Sequence, residues 1–411
     1  MGMPIARMVW VDRLFRKEAV DVPAVAVKPE LIRWAIDRSG LSTEYLLTKF
    51  SKLEEWKRGE RQPTFRQLED FAKRTMTPFG AMFLDSPPKE ELPIPDFRTK
   101  NEAPLRRYSP NLLDTIQTMQ QRQSWMREWL ADEGAMPLAI VGHANVTANF
   151  KTLAQTIRKH LDLDVAWGES QANWEDALDI LRKAIERVGI IVFSNSVVGL
   201  NNHRPLDPDE FRGFVLIDTV APVIFLNDAD SKSARIFTLV HELVHVWLGQ
   251  DGVFNLDRMM PANEDVERYC NRVAAEFLIP GHKLTERWEA ANATEKPFHT
   301  IAKWFKVSPV VAARRAIDLK LISKAEFFRF YEQDQADWRK RRELDRKKSS
   351  GGNFYATQNV RLGGRFSAAV VQAAKEGRML YQDAFRLTGM KGQTFHVYAE
   401  TVLKRVRNER E

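Results

Sequence analysis

Between Ile236 and Leu248 the chain is apolar except at four positions, Thr238, His241, Glu242 and His245. Residues three and four apart share a helical face, so all four fall on one stripe of an α-helix. A helix that is apolar on its other faces is buried, and there an unpaired imidazole or carboxylate is costly. The stripe therefore needs a partner. The pattern His-Glu-Leu-Val-His supplies one: two imidazoles one turn apart bind a single metal ion, and Glu242 between them reaches a water at that ion. Two core histidines bonded only to each other would leave Glu242 without a role. Asp230 or Ser231 can cap the start of this helix, and Gly249 can end it.

Two imidazoles call for a third protein donor. Residues 263–280, NEDVERYCNRVAAEFLIP, read as a helix stopped by Pro280. At about 100° per residue, Glu267 shares a face with Cys270, Asn271 and Ala274, small residues that permit close approach of the metal-bearing helix. Glu267 is thus a candidate ligand with Asn271 supporting it. Glu264, about 60° away, competes with it, and Glu276, about 180° away beside Arg272, is expected in solvent. Cys270 is the only cysteine, which excludes an internal disulfide and a Cys-based metal site, and it is expected as a small buried filler.

With 411 residues the chain is long enough for two or three domains. Its 44% hydrophobic and 28% charged content is that of an ordinary globular protein. No apolar run is long enough to cross a bilayer, and the opening MGMPIARMVWVDRLFRKEAV carries charges where a signal peptide has its apolar core. A cytoplasmic protein with no membrane partner is expected. The net charge of +7 is concentrated in RKRRELDRKK at 339–348, expected as a solvated linker.

Four short helices are expected within 29–84, with Gly40 and Gly59 ending two of them and Ser42 or Thr43 capping another. Proline and charge make 85–107 an extended connector. Helices follow at 111–133, 149–162 and 173–188. Then GIIVFSNSV, FRGFVLID and APVIFLND read as three strands feeding the His-Glu helix. His203, in NNHRPLDPD, is expected in an exposed loop. Residues 299–322 and the segment YQDAFRLTGMKGQTFHVYAETVL both show helix-turn-helix spacing, the second within a separate helical tail at 353–411.

Two resemblances organise these pieces. Trp56 to Thr64, W-x-x-G-E-x-x-P-T, and the helix after it resemble the helix-turn-helix domain of the XRE regulators. The match departs from that family where DNA would be read: only TKFSKLEE precedes Trp56, and it carries Glu54 and Glu55, which repel phosphate, against Lys52, Lys57, Arg58 and Arg61. The run R-x-F-T-L-V-H-E-L-V-H from Arg235, followed by E-x-x-x-N-x-x-A-A-E-x-L-I-P from Glu267, resembles the ImmA/IrrE family of zinc metallopeptidases, in the branch fused to such a regulator.

The resemblance implies an α+β, mostly helical fold. Its parts would be an XRE-like domain at 1–84, a zincin-like peptidase core at 108–330, a basic linker at 331–352 and the tail. It implies Zn2+ held by His241, His245 and Glu267, with Glu242 as general base in peptide hydrolysis. A further donor to the oxyanion is sought in Tyr269 or His203. The implied partner is a repressor-like or antitoxin-like protein substrate. The alternative is a regulator that binds DNA or a PIN-like toxin through Lys52, Lys57, Arg58 and Arg61, with the zinc fold as a scaffold.

Overall fold

The computed structural model describes residues 24–90, 108–250, 252–254, 265–345 and 354–408. The chain divides into two compact units, Met1–Glu91 with Arg107–Pro110, and Leu92–Arg106 with Asn111–Glu411.

The smaller unit holds α1 (Pro29–Ser39), α2 (Thr43–Lys49), α3 (Leu53–Arg58) and α4 (Phe65–Arg74). Their ends are written in the sequence. Ser42 Oγ accepts the Tyr45 N–H, Thr64 and Gln67 form a reciprocal capping box, and α1 and α3 stop at left-handed Gly40 and Gly59. The inward faces meet in a core of Leu31, Leu46, Leu53, Trp56, Leu68 and Phe71. Helix α3 has six residues, as the short segment before Trp56 implies. Of the expected connector, residues 91–107 lie outside the described residues.

The larger unit begins with α5 (Pro110–Asp132), α6 (Phe150–His160) and α7 (Trp174–Arg187), the last two capped by Asn149 and Asn173. The strands are β1 (Ile191–Asn195), β2 (Val197–Val198), β3 (Asn201–Pro205), β4 (Gly213–Leu216) and β5 (Val223–Asn227). Then come α8 (Lys232–Leu248), β6 (Gly252–Phe254) and α9 (Asp265–Leu278). The sheet has four strands in the order β1-β5-β4-β6, with β1 parallel to β5 and the other pairs antiparallel. Three of them are the strands legible in the sequence. The fourth, β6, and the small β2–β3 hairpin were not expected, because strands of two, three or five residues without apolar alternation carry no period to read.

Every residue of β1, β4 and β5 is buried, which explains their unbroken apolar runs. Val192, Val215, Ile224 and Leu226 point into the core shared with α7, α8 and α9. Phe193, Phe214 and Phe225 alternate with them, and Phe193 meets Phe366 edge to face at 5.1 Å.

The rest is helical: α10 (Gly281–Asn292), α11 (Pro297–Phe305), α12 (Pro309–Asp318), α13 (Lys324–Asp345), α14 (Phe354–Leu362), α15 (Gly364–Lys375), α16 (Tyr381–Thr388) and α17 (Gly392–Asn408). Helices α11 and α12 deliver Ile301, Phe305 and Val311 to the main core, as the expected helix-turn-helix packed on the peptidase would. Two expectations need correction. The basic run is helix rather than linker as far as Asp345, since it is rich in helix formers and contains no glycine or proline. Residues 354–408 do not form a separate tail. Helix α14 packs on β1, Arg182 donates to the Val360 carbonyl at 3.0 Å, and Arg122 donates to the Leu387 carbonyl at 2.9 Å. At Gly363 the backbone has φ +70°, and a Cβ there would stand 2.5 Å from the Val192 carbonyl oxygen. Only glycine lets the α14–α15 corner lie this close to the sheet. Among the described residues, no helix is long and apolar enough to cross a membrane.

Candidate metal centre

Helix α8 is fixed at both ends. Ser231 Oγ accepts the Ala234 N–H, and Gly249, in the left-handed region, donates to the His245 and Val246 carbonyls. Every residue from Ile236 to Leu248 is buried, and His241, Glu242 and His245 are at most 1% exposed. The core encloses the polar stripe.

Helix α9 lies against α8 and turns Glu267, Cys270 and Asn271 towards it. Glu267 Oε2 is 3.1 Å from His241 Nε2, Glu267 Oε1 is 3.1 Å from His245 Nε2, and the two imidazole nitrogens are themselves 3.1 Å apart. Ligand bonds of about 2.0–2.1 Å in a tetrahedral zinc site would separate donors by about 3.3 Å. The three side chains stand close to that spacing. Asn271 Oδ1 lies 3.2 Å from His241 Nδ1. If Nδ1 carries the proton and donates to Asn271, Nε2 presents a lone pair to the Glu267 oxygen, and converging acceptors of this kind call for a cation between them. Asn271 thus supports the imidazole and not the carboxylate that the sequence had assigned to it.

The titration directions agree with such a donor set. Burial holds His241 below its ordinary range, which keeps the imidazole neutral. Burial alone would raise Glu267, but its contacts with His241 and His245 outweigh that and bring it down to about 2. Burial, and secondarily the charge of Glu267, push Glu242 well above the usual carboxylate range. Neither Glu242 oxygen has a hydrogen-bond partner among the described residues. A fully buried, unpartnered carboxyl beside a second carboxylate is unfavourable unless a positive charge lies nearby. The residues therefore fit a divalent metal. The cluster His241, His245 and Cys270, whose ligand atoms lie within 4.8 Å of one another, has the makings of a metal site as well.

Two contributors were missed in the sequence. Cys270 is buried as expected, yet belongs to the donor cluster; its i, i+3 relation to Glu267 on one face was the available signal. Gly213 on β4 is the other. A Cβ there would meet Thr238 Cγ2 at 2.7 Å and Glu242 Oε1 at 3.2 Å, so the strand reaches the polar stripe only because position 213 has no side chain. A glycine inside an apolar strand was the signal.

Other candidates fall elsewhere. Glu276, expected in solvent, is 5% exposed. It pairs with Arg315 and accepts the Gly281 N–H at 3.3 Å, because α12 covers the face of α9 that helical periodicity left open. Glu264 lies outside the described residues. Tyr269 is buried, its hydroxyl lacks a partner among the described residues, and its position is about 200° around α9 from Glu267. His203 is exposed, in strand β3 and not in the loop expected for it. In the smaller unit Lys57 pairs with Glu54 at 2.9 Å, Arg58 with Glu60 at 3.4 Å and Arg61 with Glu55 at 3.2 Å. Lys52 has no ion pair among the described residues.

The segment around this centre is similar to a known peptidase family. Residues 185–316 match the peptidase M78 family, the IrrE N-terminal-like domain. The match runs from the end of α7 through the sheet, α8 and α9 into α12, so the matched segment contains every donor described above. It covers about a third of the chain. Residues 362–401 match a domain of unknown function, DUF8813, which spans α15, α16 and part of α17. No curated protein and no solved structure matches the chain.

Proposed function

We propose that the M78 domain is a zinc-dependent endopeptidase of the zincin type, with His241, His245 and Glu267 as metal ligands and Glu242 as general base. The observation that carries this reading is the convergence of three donor side chains, their atoms 3.1 Å apart, beside a buried carboxylate without a partner. When bound, zinc would polarise a peptide carbonyl and bring the pKa of a water at its open position down to about 7. The chain supplies the rest. His241 and His245 would each supply a ring nitrogen, and Asn271 holds the His241 ring through Nδ1. Glu242 takes the proton of the attacking water on a carboxylate oxygen and hands it to the amide nitrogen as the C–N bond breaks. Gly213 keeps the strand beside Glu242 free of a side chain that would crowd that oxygen.

The substrate we assign is a regulatory protein of repressor or antitoxin type, as the resemblance of the smaller unit to XRE regulators suggests. That unit would recruit the substrate. Its basic side chains support protein docking over DNA reading, since three of the four are already paired with neighbouring acids.

Purified protein should carry about one zinc per chain, and His241→Ala or His245→Ala should lose it. Glu242→Gln should retain zinc while turnover of a protein substrate falls by roughly 10²–10⁴. Stoichiometric zinc in the double histidine variant would remove the assignment.

A further inference from the structure

The Cys270 thiol is 0% exposed, in a fold whose one cysteine has no disulfide to make. Its Sγ lies within 4.8 Å of the donor atoms of both His241 and His245. It shares a face of α9 with Glu267, one turn away, and both face α8. A zinc site with Zn–N bonds of about 2.0–2.1 Å and a Zn–S bond of about 2.3 Å would place sulfur about 3.6 Å from each nitrogen. Cys270 is thus no more than about 1 Å beyond bonding reach, a gap that one χ1 rotation or a slight approach of α9 closes. An independent observation points to the same place. Glu242, fully buried and without a partner for either oxygen among the described residues, sits next to His241 on α8.

We infer that Cys270 is a fourth, displaceable donor of the metal centre, which closes it in a resting form. The inference rests on the zinc reading above. The number of protein ligands decides what such a centre does: four make it structural and closed, three leave a position for water. In the resting form the thiol would lose its proton to water, and the thiolate sulfur would take the fourth position. The open position would then be filled, so a requirement of hydrolysis is withheld. A water that displaces the sulfur would supply the proton that restores the thiol, and His241, His245 and Glu267 would hold the metal. The substrate side acquires a simple condition: a peptide carbonyl or water has to compete with a thiolate for the fourth position.

The test uses the full chain loaded with one Co2+ per chain, because a cobalt–thiolate bond has a near-ultraviolet charge-transfer band that imidazole and carboxylate ligands lack. Wild type should show this band. Cys270→Ser should lose it, keep the visible bands of a bound cobalt ion, and bind zinc about tenfold or more weakly. Cys270→Ala, which carries no donor atom, should repeat the loss. A wild-type cobalt protein without the band, or a band that survives both substitutions, would overturn the role of Cys270 and leave the His241, His245 and Glu267 centre standing. Failure of the wild type to take up either metal would overturn both readings.

Discussion

Between Gly213 and Glu242 the fit is set by single atoms. Thr238 Cγ2 is the nearest obstacle to a Cβ at position 213, at 2.7 Å, and the Phe225 carbonyl oxygen stands at 3.0 Å. The first is a methyl on a side chain, the second is backbone, so only the first can be removed by mutation. Gly213→Ala should therefore push β4 from α8, disturb Glu242 and lower kcat/KM at least tenfold, with zinc content unchanged. Thr238→Ser in the same chain deletes the obstructing methyl and should recover most of the loss, the non-additivity expected of touching residues. If Gly213→Ala proves as active as wild type, the strand does not control the position of the base.

The donors depend on where α9 stands along α8. Its C-terminus is held by two buried guanidinium groups. Arg158 donates to the Glu276 and Phe277 carbonyls at 3.0 and 2.9 Å, and Arg315 donates to the Ile279 carbonyl at 3.0 Å while pairing with the Glu276 carboxylate. These bonds satisfy carbonyls that a helix end leaves open and place cations where the helix dipole is negative. Arg315→Met would strand a buried carboxylate, and the expected loss is about 3–5 kcal/mol, read as a fall in thermal midpoint. Arg315→Met with Glu276→Gln removes the stranded charge and should recover much of that loss. Equal destabilisation in the single and double variants would show that packing, not charge, holds α9.

Across the whole molecule, the M78 match ends at residue 316, but the larger unit continues to α17, with Gly364 N–H on Glu186 Oε1 at 3.0 Å and Arg182 on the Val360 carbonyl. The smaller unit is where recruitment is proposed. Replacing Lys52, Lys57, Arg58 and Arg61 by alanine should leave zinc content and binding of a cognate protein within about twofold of wild type, because exposed ion pairs are worth only about 0–1 kcal/mol. If the unit reads DNA instead, wild type would protect a defined operator at physiological salt, and the substitutions would abolish that protection. Such a footprint would transfer the function from docking to transcription.

The sequence by itself determined the pieces whose information is local. The period of the apolar stripe put His241, Glu242 and His245 on one helical face, Ser42 or Thr43 and Asp230 or Ser231 marked two helix starts, and three apolar runs marked strands. Helical arithmetic placed Glu267 and Asn271 on the face that meets α8, but not which group Asn271 would hold. Tertiary structure alone decided the rest. It covered Glu276 with α12, joined 354–408 to the sheet, added β6 to its edge and brought the Cys270 sulfur among the donors. Periodicity says which residues share a face of one element. What a second element lays against that face depends on contacts between residues far apart in the chain, and a single sequence carries no local pattern for them.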